Sequence, residues 1–135
     1  MSFLPATAHS YLARSADSLR SAVTSSDVPQ RYALAHVAAL QATAALLAVR
    51  ATPSTGRQRR QRNAWILLAQ VAPEFSEWAQ FFASGAAKRA AAEAGSTRAV
   101  TAREADDLVR EADHYLALIE SSLGLTAHVP VALGA

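Results

Sequence analysis

The apolar positions of this chain fall into helical stripes. Leu4, Ala8, Tyr11, Leu12, Ser15, Leu19, Ala22 and Val23 recur at roughly helical spacing, with Arg14, Asp17 and Arg20 off the stripe. This predicts an amphipathic helix from about Ala6 to Ser25. Ser25, Ser26 and Asp27 end it, and Asp27 then serves as N-cap for a second helix, with Val28 and Pro29 in its first turn. That helix extends to about Arg50. Only His36, Gln41 and Thr43 interrupt the apolar run from Tyr32 to Val49, the pattern of a helix surrounded by others rather than lying on a surface.

Residues 51–62, ATPSTGRQRRQR, read as the longest connection in the molecule. A third helical stretch starts near Asn63 and runs through Trp65, Leu68, Ala69 and Ala72 to Pro73. The proline is expected to kink or restart it, with Glu74 and Glu77 favouring the new N-terminus. Five of the nine aromatic residues lie between Trp65 and Phe82, so this kinked region is expected to carry the bulkiest core contacts. Beyond Phe82 the pattern dissolves into AAKRAAAEAG. Gly95 reads as a C-cap, and Thr101 with Glu104 forms a T-x-x-E capping box that opens a last helix reaching about Ser122. Its stripe is Leu108, Ala112, Tyr115, Leu116, Ile119 and Leu123. Arg103 with Asp107, and Asp106 with Arg110, are spaced for i,i+4 pairing on its wet side. Residues 125–135 are read as a C-terminal tail, whose stretch HVPVALGA (128–135) is expected to be disordered or loosely packed. The sum is a single all-α domain over residues 1–124, an antiparallel four- to five-helix bundle with a kinked third helix.

Composition supports the same class. About a quarter of the 135 residues are Ala, and β-branched residues are few. With no Cys there is no disulfide, thiolate nucleophile or Cys-ligated metal. No run of about 18 apolar residues and no signal-peptide pattern is visible, so a cytoplasmic protein without a membrane span is expected. The net charge of +2 hides an asymmetry: no acid lies between Asp27 and Glu74, where Arg31, Arg50, Arg57, Arg59, Arg60 and Arg62 fall. From Glu74 onward nine acids face five bases.

Candidate chemistry is sparse. His9, His36, His114 and His128 include no pair at metal-ligand spacing on one helix, so no metal and no cofactor is expected. The glycines form neither G-x-G-x-x-G nor a P-loop, and no G-x-S-x-G turn is present. Asp106 and Asp107 are adjacent, hence splayed about 100° apart on a helix, and read as solvated. Arg57, Arg59, Arg60 and Arg62 are the clear electrostatic feature: closely spaced guanidinium forks suit bidentate contact with phosphate, so they are the candidate nucleic-acid-binding residues. The competing reading is a solvated loop.

The segments RYALAHVAALQATAALLA (31–48), NAWILLAQVAPEFSEWAQFFASGAAKRAAAEAG (63–95) and VTAREADDLVREADHYLALIE (100–120) resemble an actinobacterial subgroup of the HEPN (higher eukaryotes and prokaryotes nucleotide-binding) superfamily, over roughly residues 8–124. The resemblance implies a four- or five-helix bundle, usually dimeric, that binds RNA or nucleotides; many members are metal-independent ribonucleases of toxin–antitoxin and defence systems. Those ribonucleases carry Arg, a polar residue, and His after four to six intervening positions, near the start of the final long helix. Here Arg31 and His36 have that spacing, but on the second helix, with Tyr32 in the polar place and about 140° between them. In the last helix, Arg110 and His114 have three residues between them and lie about 40° apart on one face. These two pairs are the candidate catalytic residues. The expected function is a homodimeric RNA- or nucleotide-binding module without a clear catalytic motif. The alternatives are a metal-independent ribonuclease and a noncatalytic module that docks a protein partner, antitoxin-like in kind.

Overall fold

A computed structural model describes residues 4–50 and 63–133 of the chain. The elements are α1 (Ala6–Thr24), α2 (Val28–Arg50), α3 (Ala64–Val71), a 3-10 turn (Pro73–Phe75), α4 (Ser76–Ser84), α5 (Ala86–Glu93) and α6 (Ala102–Ser122). Among the described residues there is no strand, and the all-α bundle expected from the pattern is what forms. The basic segment 51–62 lies outside the described residues.

The element ends follow local chemistry. Asp27 caps α2, its Oδ2 accepting from the Gln30 N–H at 3.2 Å. Asn63 caps α3 by accepting from the Trp65 N–H at 2.8 Å. Pro73 cannot donate to the preceding turn, so the helical path stops at Val71 and restarts through the 3-10 turn. The Thr101–Glu104 capping box closes reciprocally: Thr101 Oγ1 accepts from the Glu104 N–H at 3.1 Å, and Glu104 Oε1 from the Thr101 N–H at 3.0 Å.

α2 is the axis of the bundle, in contact with α1, α3, α5 and α6. Its alanines make this possible: Ala35, Ala38, Ala39, Ala42 and Ala45 are wholly buried, and their short side chains let neighbouring backbones approach. Ser15 Oγ on α1 donates to the Ala38 carbonyl at 2.7 Å. In the contact between α2 and α6, the Tyr115 and Thr43 hydroxyls lie 2.7 Å apart and Thr43 Oγ1 donates to the Ala39 carbonyl at 2.9 Å. A buried polar pair is therefore paired within the core, as its desolvation requires. By length and composition alone α2 is apolar enough to cross a membrane; within this fold more than half of that apolar stretch is buried among its neighbours.

Three expectations are corrected. Residues 86–93 do not dissolve but form α5, closed by a Schellman turn in which Gly95, at φ +93°, donates to the Ala92 carbonyl and Ser96 to the Ala91 carbonyl, each at 3.0 Å. The tail is held against the helices rather than disordered over 125–133, although none of its residues is fully buried. Leu125, Val131 and Leu133 pack against the core, and His128 is hydrogen-bonded to α6. Finally, Asp106 pairs not with Arg110 but with Arg31 on α2, while Arg110 takes Asp107 at i,i+3.

Candidate nucleic-acid interface

Arg31 opens α2 and reaches two other parts of the chain. Its Nη1 donates to Asp106 Oδ1 at 2.6 Å, and its Nε and Nη2 donate to the Ser25 carbonyl at 3.2 and 3.0 Å. The guanidinium thus ties the α1–α2 turn to the start of α6. His36, five positions on, turns into the core at 1% exposure. Its Nε2 lies 2.9 Å from the Phe82 carbonyl, which accepts only, so Nε2 carries the hydrogen and Nδ1 is left as a buried lone pair without a hydrogen-bond partner. Burial pushes its pKa below the ordinary imidazole value against the pull of that hydrogen bond, with the Arg89 charge adding to the fall. Edge contacts to Trp65 and Phe82 complete its surroundings. Arg31 and His36 therefore face different neighbours and do not converge on one point.

Arg110 and His114 are arranged differently. Both are exposed on the outer face of α6; Arg110 is bonded to Asp107 at 2.9 Å, and the His114 ring meets Trp78 of α4 edge-on at 5.6 Å. Trp78 continues into a buried aromatic stack with Phe82 and Tyr115. Phe81, 44% exposed, stands beside Trp78 on the same helix. The one-turn spacing that placed Arg110 and His114 on a common face is thus realised on an accessible surface with an aromatic floor.

Between the α4–α5 corner and the start of α6 a cleft of about 240 Å³ opens, lined by Tyr32, His36, Ser84, Gly85, Lys88 and Glu104 among others. Gly85 shapes it: a Cβ there would come within 2.7 Å of the Tyr32 hydroxyl. Lys88 and Glu104 form an ion pair at this cleft, so its one lysine already has a carboxylate.

The same holds for most cations of the helical body. Arg20, Arg31, Arg50, Lys88, Arg89 and Arg110 each meet a carboxylate. Nine of the thirteen bases and all eleven acids lie outside residues 51–62, so the rest of the chain carries a formal charge of −2 and the four arginines of that segment +4. The candidate binding residues Arg57, Arg59, Arg60 and Arg62 thus supply the whole positive excess, although they lie outside the described residues. The segment's flanks are firm: Arg50 Nη1 donates to Glu74 Oε2 at 2.5 Å, and Asn63 caps α3. Among the described residues no three His, Asp or Glu side chains are grouped to hold a metal ion. The polar cluster that sequence reasoning missed is Asp113, Glu120 and His128, joined across eight to fifteen positions by a non-helical turn that no periodicity reveals.

The sequence that forms this bundle matches the family model described as SAV_6107-like HEPN over residues 22–120. The chain belongs to the HEPN family. No curated protein and no solved structure gives a significant match.

Proposed function

We propose that this HEPN-family chain is a homodimeric module that binds RNA or nucleotides through Arg57, Arg59, Arg60 and Arg62. The observation that carries the reading is the charge separation: the helical body neutralises most of its cations internally, while the arginine segment has no acid of its own and outweighs the body's net charge. Closely spaced arginine forks are suited to bidentate phosphate contact, and binding of this kind is sequence-tolerant and salt-sensitive. Changing the four arginines jointly to serine is expected to abolish retention of labelled total RNA in a gel shift at low salt, with helical content unchanged by circular dichroism. Retention equal to the unmodified protein would refute it.

A metal-independent ribonuclease is the second reading, and the shared exposed face of Arg110 and His114 supports that pair over Arg31 and His36. His114 would exchange a proton with the 2′-hydroxyl or the leaving oxygen, and Arg110 would stabilise the charge developing on the phosphorus oxygens. Loss of RNA cleavage in His114→Ala, with cleavage intact in His36→Gln, is the outcome this reading requires. Absence of both retention and cleavage would turn attention to a protein partner.

A further inference from the structure

Past the end of α6 the chain turns at Gly124, whose φ of +79° suits glycine, and Leu125 donates back to the Glu120 carbonyl at 2.9 Å. The turn sends residues 125–133 back beside α6. There the His128 ring sits between two carboxylates: Nδ1 lies 2.5 Å from Glu120 Oε1 and Nε2 2.5 Å from Asp113 Oδ1. The same two oxygens accept backbone hydrogens of the segment, Glu120 Oε1 from the His128 N–H at 3.0 Å and Asp113 Oδ1 from the Val131 N–H at 3.3 Å. All three side chains are largely withdrawn from solvent. Between this segment and α1 runs an apolar groove of about 500 Å³, lined by Ala16, Val23, Val129, Pro130 and Val131, with Arg20 at its side.

Ionised carboxylates accept hydrogen bonds and cannot donate them, so a ring that bonds to one through each nitrogen must hold a hydrogen on both. We infer that residues 125–133 are a strap clamped to α6 by the imidazolium of His128, and that loss of its proton releases the strap and uncovers the apolar face of α1 that walls the groove. Without that proton one ring nitrogen turns a lone pair toward a carboxylate oxygen, and two largely buried negative charges are left on either side of the ring without their cation. The charged groups around the ring are few. α6 contributes Asp113 and Glu120; α1 contributes Arg20, which lines the groove and is itself paired with Asp17. Burial alone opposes the charged ring, but its hydrogen bonds to Asp113 and Glu120 and their charges outweigh burial and hold His128 above the ordinary imidazole range. The direction of control follows: the clamp is closed while the ring is charged and both carboxylates are ionised, and it opens as the pH rises through the raised value of His128.

The test is NMR on the whole chain from pH 6 to pH 9.5, reading the His128 ring resonances and the heteronuclear NOE of the amides of residues 125–133. The ring is expected to titrate above the free-histidine value of about 6.5, and the strap amides are expected to lose order with the same midpoint while circular dichroism of the helices holds constant. His128→Gln should leave the strap mobile at every pH with the helices intact. His128→Arg, a cation that does not titrate in this range, should keep it ordered to pH 9.5. A strap that stays ordered at pH 9.5 in the unmodified chain, or that stays ordered in His128→Gln, would overturn the inference.

Discussion

Two histidines of this chain are buried in opposite ways, and their effects on stability have opposite signs. His36 is neutral in an apolar cage, so the unfolded chain takes up a proton there more readily than the folded one. Its contribution is present above about pH 6.5 and is lost as the pH falls below that value. His128 is held charged, so its contribution is full below about pH 6.5 and is lost as the pH rises through its elevated folded value. Thermal melts across pH are therefore expected to decline on both sides of neutrality. In His36→Gln, whose amide keeps a donor for the Phe82 carbonyl, the acid-side decline should shrink; an unchanged acid limb would show that another group causes it. At Gly85, an added methyl would meet the Tyr32 hydroxyl at 2.7 Å. Gly85→Ala is expected to cost about 1–3 kcal/mol in urea denaturation, the ordinary range for overpacking a tight site.

At the scale of elements, the parts legible in the sequence were those set by near neighbours. Asp27, Asn63, Pro73 and the Thr101–Glu104 pair act within four residues of themselves, and each begins or breaks a helix as its spacing says. The apolar circumference of α2 likewise announced its central place. α5 was not legible because it has almost no buried stripe: Ala92 is its one buried residue. Its stability comes instead from alanine propensity, the Arg89–Glu93 pair and the Gly95 turn. The contacts that matter most around the candidate site were out of reach for a different reason. Arg31 and Asp106 are 75 positions apart, and only the packing of α2 on α6 brings them together. His128 meets its carboxylates through an irregular turn. The capping box gives the test proper to this scale. Thr101→Ala should lower stability by about 1 kcal/mol, the usual cost of losing an N-cap oxygen; a change near zero would mean that Glu104 and Lys88 alone hold the end of α6.

On the scale of the whole molecule, the fold separates packing from charge. Alanine-lined helices and the Trp65–Phe82 aromatic cluster build the body, and surface carboxylates balance its cations. The arginine excess is confined to one segment between α2 and α3, visible in the sequence as composition rather than as geometry. The family membership fits a bundle of this kind, and the proposed binding role rests on the charge separation. It is most directly tested by the salt dependence of binding to a short single-stranded RNA, measured at equilibrium from low to physiological salt. Four arginine–phosphate contacts predict a slope near −3 in log affinity against log salt, about 0.7 for each phosphate neutralised. That slope should collapse toward zero when Arg57, Arg59, Arg60 and Arg62 are all changed to serine. Affinity that is indifferent to salt, or a slope that survives the four substitutions, would contradict the account.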